Sequence, residues 1–356
     1  MKNIFYLLFV CCFASCNAQH PADNSIASFI KNKTDSLFNK NAVPCIFVGV
    51  INEGEKYYYS AGYANTDTKM PFDSATVFEI GSITKTFTAY VLMNVLKDNA
   101  IPDSSSISKY LPDSVQNNKV FEKISFLNLM NHTSGLPRLP ENLDLTTNAM
   151  APYNDYTSQM LFAYLKKCNP KPDGKSNYSN LGMGLAGVLA ERISGKTYAS
   201  LLDEYIFLPF ELVTSDNAIS KTENKSQGYF GDVKSEYWNM NILAPAGGLK
   251  CTPNEILTYL QYMADPADKN AKEIIEKMLA PTVSLNPKVN VCRAWHTLEE
   301  KDKPVIYWHN GGTYGFSTFG AFIKGRQKAV IVVVNKFNEN KVSDVLGMTI
   351  MKELTK

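Results

Sequence analysis

The chain has 356 residues, 45% hydrophobic and 20% charged, with a formal net charge of +2. That length holds one large domain or two smaller ones around a sizeable core. The small net charge and the scattered basic residues argue against a nucleic-acid or anionic-membrane surface, and four histidines without clustered ligands argue against a metal site. No cofactor is expected.

The first 19 residues read as an export signal: Lys2 precedes the apolar run Ile4 to Ala14, and small residues follow. The run is too short to span a bilayer, and no later segment reaches the ~18 apolar residues a spanning helix needs. Two exits fit. Cleavage after Ala18 releases a soluble protein, whereas Phe13-Ala14-Ser15-Cys16 resembles a lipobox that would leave Cys16 lipidated and tether the protein to a membrane. Either way the protein is exported and periplasmic or membrane-tethered. Cys11 and Cys12 also fall in this region. Cys45, Cys168, Cys251 and Cys292 remain, without a C-x-x-C pair; they allow three disulfide pairings or a set of buried thiols.

Residues 24–40 predict a helix, with Ile26, Phe29, Ile30 and Leu37 on one face. Strand patterns follow at 45–51 and 56–63, joined by Asn52-Glu53-Gly54-Glu55 as a hairpin turn. Helical patterns occupy 84–96, 125–130, 181–193, 198–206, 254–263 and 272–278, between loops rich in Pro, Asn, Asp and Ser at 101–118, 131–155 and 211–245. Strand patterns return at 289–297, 305–308, 317–323 and 329–335, and a helix over 343–354 closes the chain. Strands at both ends with helices between predict an α+β fold. In it an antiparallel sheet from both chain ends (about 24–80 and 246–354) is flanked by terminal helices, and a mainly helical lobe (about 81–245) is inserted. We expect a single catalytic domain over 24–354.

Three short motifs carry the chemistry: Ser82-Ile83-Thr84-Lys85, Tyr178-Ser179-Asn180 and His309-Asn310-Gly311. Gly81 permits a tight entry and the following run is strongly apolar, so Ser82 falls at or near a helix N-terminus. Lys85, three residues on, then shares its face at ~5–6 Å between Cβ atoms. The unpaired N–H groups and the helix dipole favour a developing anion there. The N–H of Ser82 itself can form half of an oxyanion hole, worth ~3–4 kcal/mol per donor in acyl transfer. Lys85 acts as a base only when neutral, which from ~10.4 down to ~7 costs roughly 4–5 kcal/mol and calls for burial. Otherwise it orients or acidifies Tyr178. S-x-x-K is expected about once by chance in a chain this long. Two further copies begin at Ser28 and Ser106; these read as a solvated helix face and a solvated loop.

Y-x-N also occurs three times, but Tyr63 ends a strand and Tyr237 sits in a loop. Tyr178 alone lies on a loop held against a following helix. Its phenol can relay a proton from Ser82 to a leaving group, and Asn180 can hold Lys85 and a substrate amide. His309-Asn310-Gly311-Gly312 follows an apolar strand, where glycines let a ligand backbone approach and Gly312 can offer a second oxyanion N–H. Other readings fail. Gly195-Lys196-Thr197 fits a loose phosphate-loop pattern, yet Gly195 ends a helix and Thr197 caps the next. No G-x-S-x-G elbow exists.

In this ordered trio the chain resembles the serine β-lactamase and penicillin-binding protein family, on its class C and D,D-peptidase branch. Leu129 to Pro137, Pro245-Ala246-Gly247-Gly248-Leu249 and Gly311 to Phe316 fit as well, so the match covers roughly residues 25–354. The resemblance implies a β-lactamase/transpeptidase-like fold. It implies that Ser82 is acylated, that Lys85 and Tyr178 share the acid/base work, and that Asn180, His309, Gly311 and Gly312 bind substrate. His132 would be structural. His309 would replace the lysine of a K-T-G motif, which weakens recognition of a substrate carboxylate there, although some peptidases of the family carry H-x-G. The implied function is an exported serine hydrolase cleaving amide or ester bonds, of D,D-carboxypeptidase, D-peptidase or esterase type. Its partners are small-molecule or peptide substrates. The alternatives are a true β-lactamase, or a binder of cell-wall peptide that is acylated and turns over poorly. Specificity would lie in loops 136–160 and 211–245, which carry no legible code, and oligomeric state has no signature.

Overall fold

A computed structural model describes residues 23–212 and 222–356. The expected export signal over 1–19, with Cys16, lies outside these residues, as does 213–221 of the loop 211–245. Helix α1 (Asp23–Lys40) precedes the hairpin β1 (Cys45–Asn52) and β2 (Glu55–Gly62). A two-residue strand β3 (Phe78–Glu79) leads to helix α2 (Thr84–Asp98). Helices α3 (Asp113–Gln116), α4 (Phe126–Met130), α5 (Ser158–Lys167), α6 (Asn180–Ser194) and α7 (Tyr198–Leu202) follow. Strands β4 (Gly228–Phe230) and β5 (Val233–Ser235) pair with each other, and β6 (Lys250–Cys251) pairs with β3. Helices α8 (Pro253–Ala264) and α9 (Lys269–Leu279) come before the last run of strands. These are β7 (Val283–Asn286), β8 (Val289–Val291), β9 (His296–Leu298), β10 (Ile306–Gly312), β11 (Ser317–Ile323) and β12 (Lys328–Val334). Helix α10 (Asn340–Leu354) ends the chain.

The main sheet has eight strands in the order β2-β1-β12-β11-β10-β9-β8-β7, every pair antiparallel. Both chain ends therefore build it, and the α+β arrangement expected from the sequence is the one found. Its central strands β1, β11 and β12 are buried along nearly their whole length. Covered on both faces, they read as continuous apolar runs rather than alternating ones. Ile46, Val48, Val330 and Val332 pack against Ile30 of α1 and Leu346 and Ile350 of α10. Phe47, Ile331 and Val333 face Leu257 and Leu260 of α8 and the helical lobe. The turn between β1 and β2 puts Glu53 at φ 50° and Gly54 at φ 87°, the two left-handed residues a tight two-residue hairpin requires.

Helix α2 runs through the middle of the helical lobe, buried from Thr84 to Met93. A helix covered on every side shows no single apolar stripe. Its threonines are tolerated because each is paired: Thr86 donates to the Ile83 carbonyl (2.8 Å) and Thr88 to that of Pro245 (2.7 Å). Among the described residues no helix is long and apolar enough to cross a membrane.

Four local expectations change. The pattern 289–297 is two strands, because Ala294 turns at φ 62° and lets Trp295 drop into the core. The edge strand β7 escaped notice since none of its four residues is buried. So did α5, in which Leu161 and Leu165 alone are buried. His309 to Gly312 do not follow a strand but continue β10, paired with Gly320 to Ser317. The four cysteines Cys45, Cys168, Cys251 and Cys292 are free thiols. Burial pushes Cys45 and Cys292 up to about 12, which leaves them unreactive.

Candidate active site

The site begins where the segment before α2 meets the end of β10. Gly81 sits at φ 54°, and a Cβ there would lie 2.6 Å from the Gly312 nitrogen. A Cβ on Gly311 would lie 2.1 Å from the Ile80 carbonyl oxygen, which also accepts a hydrogen bond from Thr318 (3.0 Å). Only glycine at both positions permits this approach. It brings the backbone of Gly312 beside the residue preceding Ser82. Ser82 itself occupies a 3-10 turn (Gly81–Ile83) that runs into α2.

Lys85, in the first turn of α2, is fully buried. Its Nζ lies 3.0 Å from Ser82 Oγ and 2.5 Å from the carbonyl oxygen of Ala246. Burial, reinforced by the charge of Arg138, holds the amine well below the ordinary lysine range. A neutral amine, the form in which Lys85 could act as a base, is therefore the form this site favours.

Tyr178-Ser179-Asn180 is locked from both sides. Ser179 is fully buried and its hydroxyl caps α6, accepting from the Gly182 N–H (2.8 Å) while donating to the Pro137 carbonyl (2.7 Å). Its own N–H donates to Nδ1 of His132 (3.2 Å), which puts the His132 proton on Nε2. With the middle residue turned inward, Tyr178 and Asn180 both line the cleft. The Tyr178 ring stands 4.8 Å from Lys85 Nζ and 4.6 Å from the His132 ring. Burial pushes its phenol up to about 12, against the pull of a hydrogen bond with Ser82 and the charge of Arg138. The phenol is thus protonated at neutral pH. Asn180 Oδ1 is buried with no hydrogen-bond partner among the described residues, an acceptor awaiting a donor.

These groups enclose a cleft of about 530 Å³. Ser82, Tyr178, Asn180, Gly311 and Gly312 line it, and Lys85 lies beneath Ser82. His309 does not line it. Alternation along β10 turns His309 inward, where it is buried with its ring 6.4 Å from that of Tyr178. Burial holds its imidazole well below the usual range, so it is neutral, and Nδ1 donates to the Asn310 carbonyl (2.6 Å). Direct contact of His309 with a substrate carboxylate, expected from its motif, does not fit that position. The other S-x-x-K copies lie elsewhere: Ser28 is exposed on α1, and Ser106 donates to the Phe121 carbonyl (3.1 Å). Tyr237 donates to the carbonyls of Val77 and Ser226, a structural role.

Sequence reasoning missed several contributors. Ala246 belongs to the noted Pro245-Ala246-Gly247-Gly248-Leu249 stretch, but a backbone carbonyl leaves no side-chain signature. Arg138 follows directly on the Leu129 to Pro137 segment and lines the cleft. Glu79, three residues before Ser82, accepts from Thr313 Oγ1 (2.7 Å) and from the Trp238 N–H (2.5 Å). Burial raises its carboxyl while those two bonds pull it down. It ties the β10–β11 turn and the Trp238 loop to the strand that leads into the serine turn. Trp238 contacts Tyr153 and Tyr314 edge-on at 5.0 and 4.8 Å, forming an aromatic end to the cleft.

A Beta-lactamase family model matches residues 26–354. The chain belongs to the β-lactamase family. It is 25% identical to a "Beta-lactamase" of Providencia stuartii, over 95% of this chain and 94% of that one. A solved structure, "Beta-Lactamase/D-Alanine Carboxypeptidase from Pseudomonas syringae", superposes with a TM-score of 0.79 at 20% identity, covering 92% of this chain and 99% of the other. A class C β-lactamase from Rhodobacter sphaeroides gives a TM-score of 0.77 at 19% identity, with the same coverages. At those identities the two structures bear on the fold, which is the β-lactamase/transpeptidase-like one that the motifs implied. As a member of the β-lactamase family the chain is a serine hydrolase.

Proposed function

We propose that this protein is an exported serine hydrolase that forms an acyl-enzyme on Ser82 and cleaves amide or ester bonds, of D,D-carboxypeptidase, D-peptidase or esterase type. The observation that carries the reading is the buried Lys85 amine 3.0 Å from Ser82 Oγ. Neutral Lys85 takes the Ser82 proton as the oxygen attacks the substrate carbonyl. The N–H groups of Ser82 and Gly312 hold the oxyanion. Tyr178, protonated and hydrogen-bonded to Ser82, passes a proton to the leaving group. Asn180 Oδ1 receives a substrate N–H. Water then releases the acyl group by the reverse relay. His309, neutral behind Tyr178, shapes the wall rather than supplying charge. One catalytic unit over 24–354 fits this site, because its residues come from both the sheet and the helical lobe.

A second reading, β-lactamase, is favoured by the Providencia and Rhodobacter proteins, which are both β-lactamases by name. Turnover of p-nitrophenyl esters, D-Ala-D-Ala peptides and nitrocefin by the purified protein separates the readings. We expect ester or D-peptide turnover that Ser82→Ala abolishes. Nitrocefin turnover far above both supports the β-lactamase. A stable penicillin adduct on Ser82 with no turnover of any substrate overturns the hydrolase and leaves a binder. Export rests on the apolar run Ile4 to Ala14. The mass of the mature N-terminus, cut after Ala18 or lipidated at Cys16, tests it.

A further inference from the structure

Arg138 is the one charged side chain among the described residues that line the cleft. No acidic group faces it there, and among the described residues its guanidinium enters no ion pair. The side chain is exposed, with Cζ 5.1 Å from the Tyr178 ring centre. Its backbone is held in place: the N–H groups of Asn180 (2.9 Å) and Leu181 (3.2 Å), the first residues of α6, both donate to the Arg138 carbonyl. The guanidinium therefore stands on the same wall as Tyr178 and Asn180. Its charge is felt at Lys85, His132, Tyr153 and Tyr178 alike.

The other basic groups are committed. Lys85 is buried and spends its contacts on Ser82 and Ala246, and His309 is turned away from the cleft. A strong positive field remains at one point, on a planar fork of donors suited to a carboxylate. We infer that the substrate carries a carboxylate close to the scissile bond and that Arg138 receives it. This rests on the serine-hydrolase reading and narrows it to anionic acyl donors or anionic leaving groups. The carboxylate recognition that the H-N-G motif weakens at His309 is thus supplied by a loop residue instead.

The experiment compares two ester pairs on the full-length protein. One pair differs in the acyl part: the p-nitrophenyl ester of glutaric acid with its far carboxyl free, or methylated. The other differs in the leaving group: phenyl acetate with or without a ring carboxylate. The readout is the ratio of kcat/KM for the charged over the neutral member. In at least one pair we expect Arg138→Gln to lower that ratio roughly ten- to a hundredfold, the worth of a charge-assisted hydrogen-bond pair. Arg138→Lys should restore part of it. Because the guanidinium is exposed, the wild-type ratio should also shrink as ionic strength rises from about 0.05 to 0.5 M. Arg138→Gln keeps the backbone carbonyl that α6 holds, so it tests the charge. Should both members fall together in both pairs, leaving the ratio unmoved, Arg138 is a structural residue and the inference is overturned. Hydrolysis that persists in Ser82→Ala overturns the serine reading itself, whereas Ser82-dependent hydrolysis indifferent to substrate charge overturns the inference alone.

Discussion

Lys85 is costly to bury, and the proposed mechanism draws on the neutral amine that burial favours. In the unfolded chain its amine is protonated below about pH 10.4. In the folded protein burial holds it well below that value. The unfolded state therefore binds the extra proton across the interval, and stability rises with pH there, by up to ~1.4 kcal/mol per unit. Lys85→Met removes this dependence. In denaturant melts, wild type should gain stability relative to Lys85→Met between pH 7 and 10, and a flat difference would mean that the amine stays charged when buried. Activity carries the same sign: kcat/KM should fall as acid protonates Lys85, while Tyr178, near 12, sets no limit at neutral pH. Nucleophile choice is tested more simply. Ser82→Ala should remove all hydrolysis, and Ser28→Ala and Ser106→Ala none, since neither serine approaches the cleft. Equal losses in the three variants would refute the assignment.

Between elements, the decisive contact is that of two backbones. The Ile80-Gly81 turn rests on Gly311-Gly312, and this places the serine against the end of β10. Gly81→Ala meets two obstacles, a left-handed φ of 54° and a Cβ only 2.6 Å from Gly312 N. Each costs about 1–3 kcal/mol, and the strain falls where the oxyanion would sit. We expect kcat to drop by at least tenfold, with KM changing less. Gly195→Ala is the control, since it shares a left-handed φ but has open space around it, and it should lose stability without losing kcat. The Y-S-N motif works similarly. Its middle residue caps α6 from a buried position, and for that reason its neighbours point into the cleft. Glu79 adds a tie across the β10–β11 turn and the Trp238 loop, both of which border the cleft. Glu79→Ala leaves two donors unpaired and should raise KM, as measured on the better ester.

At the level of the molecule, the helical lobe and the sheet share one core, pinned outside the cleft lining by an ion-pair cluster. Asp103, after α2, receives Arg293 at 2.6 Å and Lys277 of α9 at 2.9 Å. Burial pushes its carboxyl up, but the two cations outweigh burial and leave it lowered. A lowered carboxylate contributes stability above its unfolded value of about 3.9, lost as pH falls through the folded one. Asp103→Asn strands a buried Arg293 and should cost about 3 kcal/mol at pH 7 by chemical denaturation, with the deficit closing below roughly pH 4. An unchanged midpoint would show the cluster to be idle. Much of this architecture was legible in the residues. Buried strands such as β1 and β12 announce themselves as apolar runs, and Ser82 with Lys85 needs only helical spacing to meet. Weakly buried elements such as β7 and α5 carry no such pattern. Residue order by itself pointed to Ser82, to Lys85 one turn on and to Tyr178 as the candidate trio, and to the α+β class, because helical spacing, the order of the motifs and the apolar runs are all written in the chain. Tertiary structure alone decided that His309 faces inward, that a carbonyl from Ala246 steadies the amine, and that Arg138 brings the cleft its charge. Those outcomes depend on which way a strand is turned and where a loop lands, and both are set by packing between segments distant in the chain.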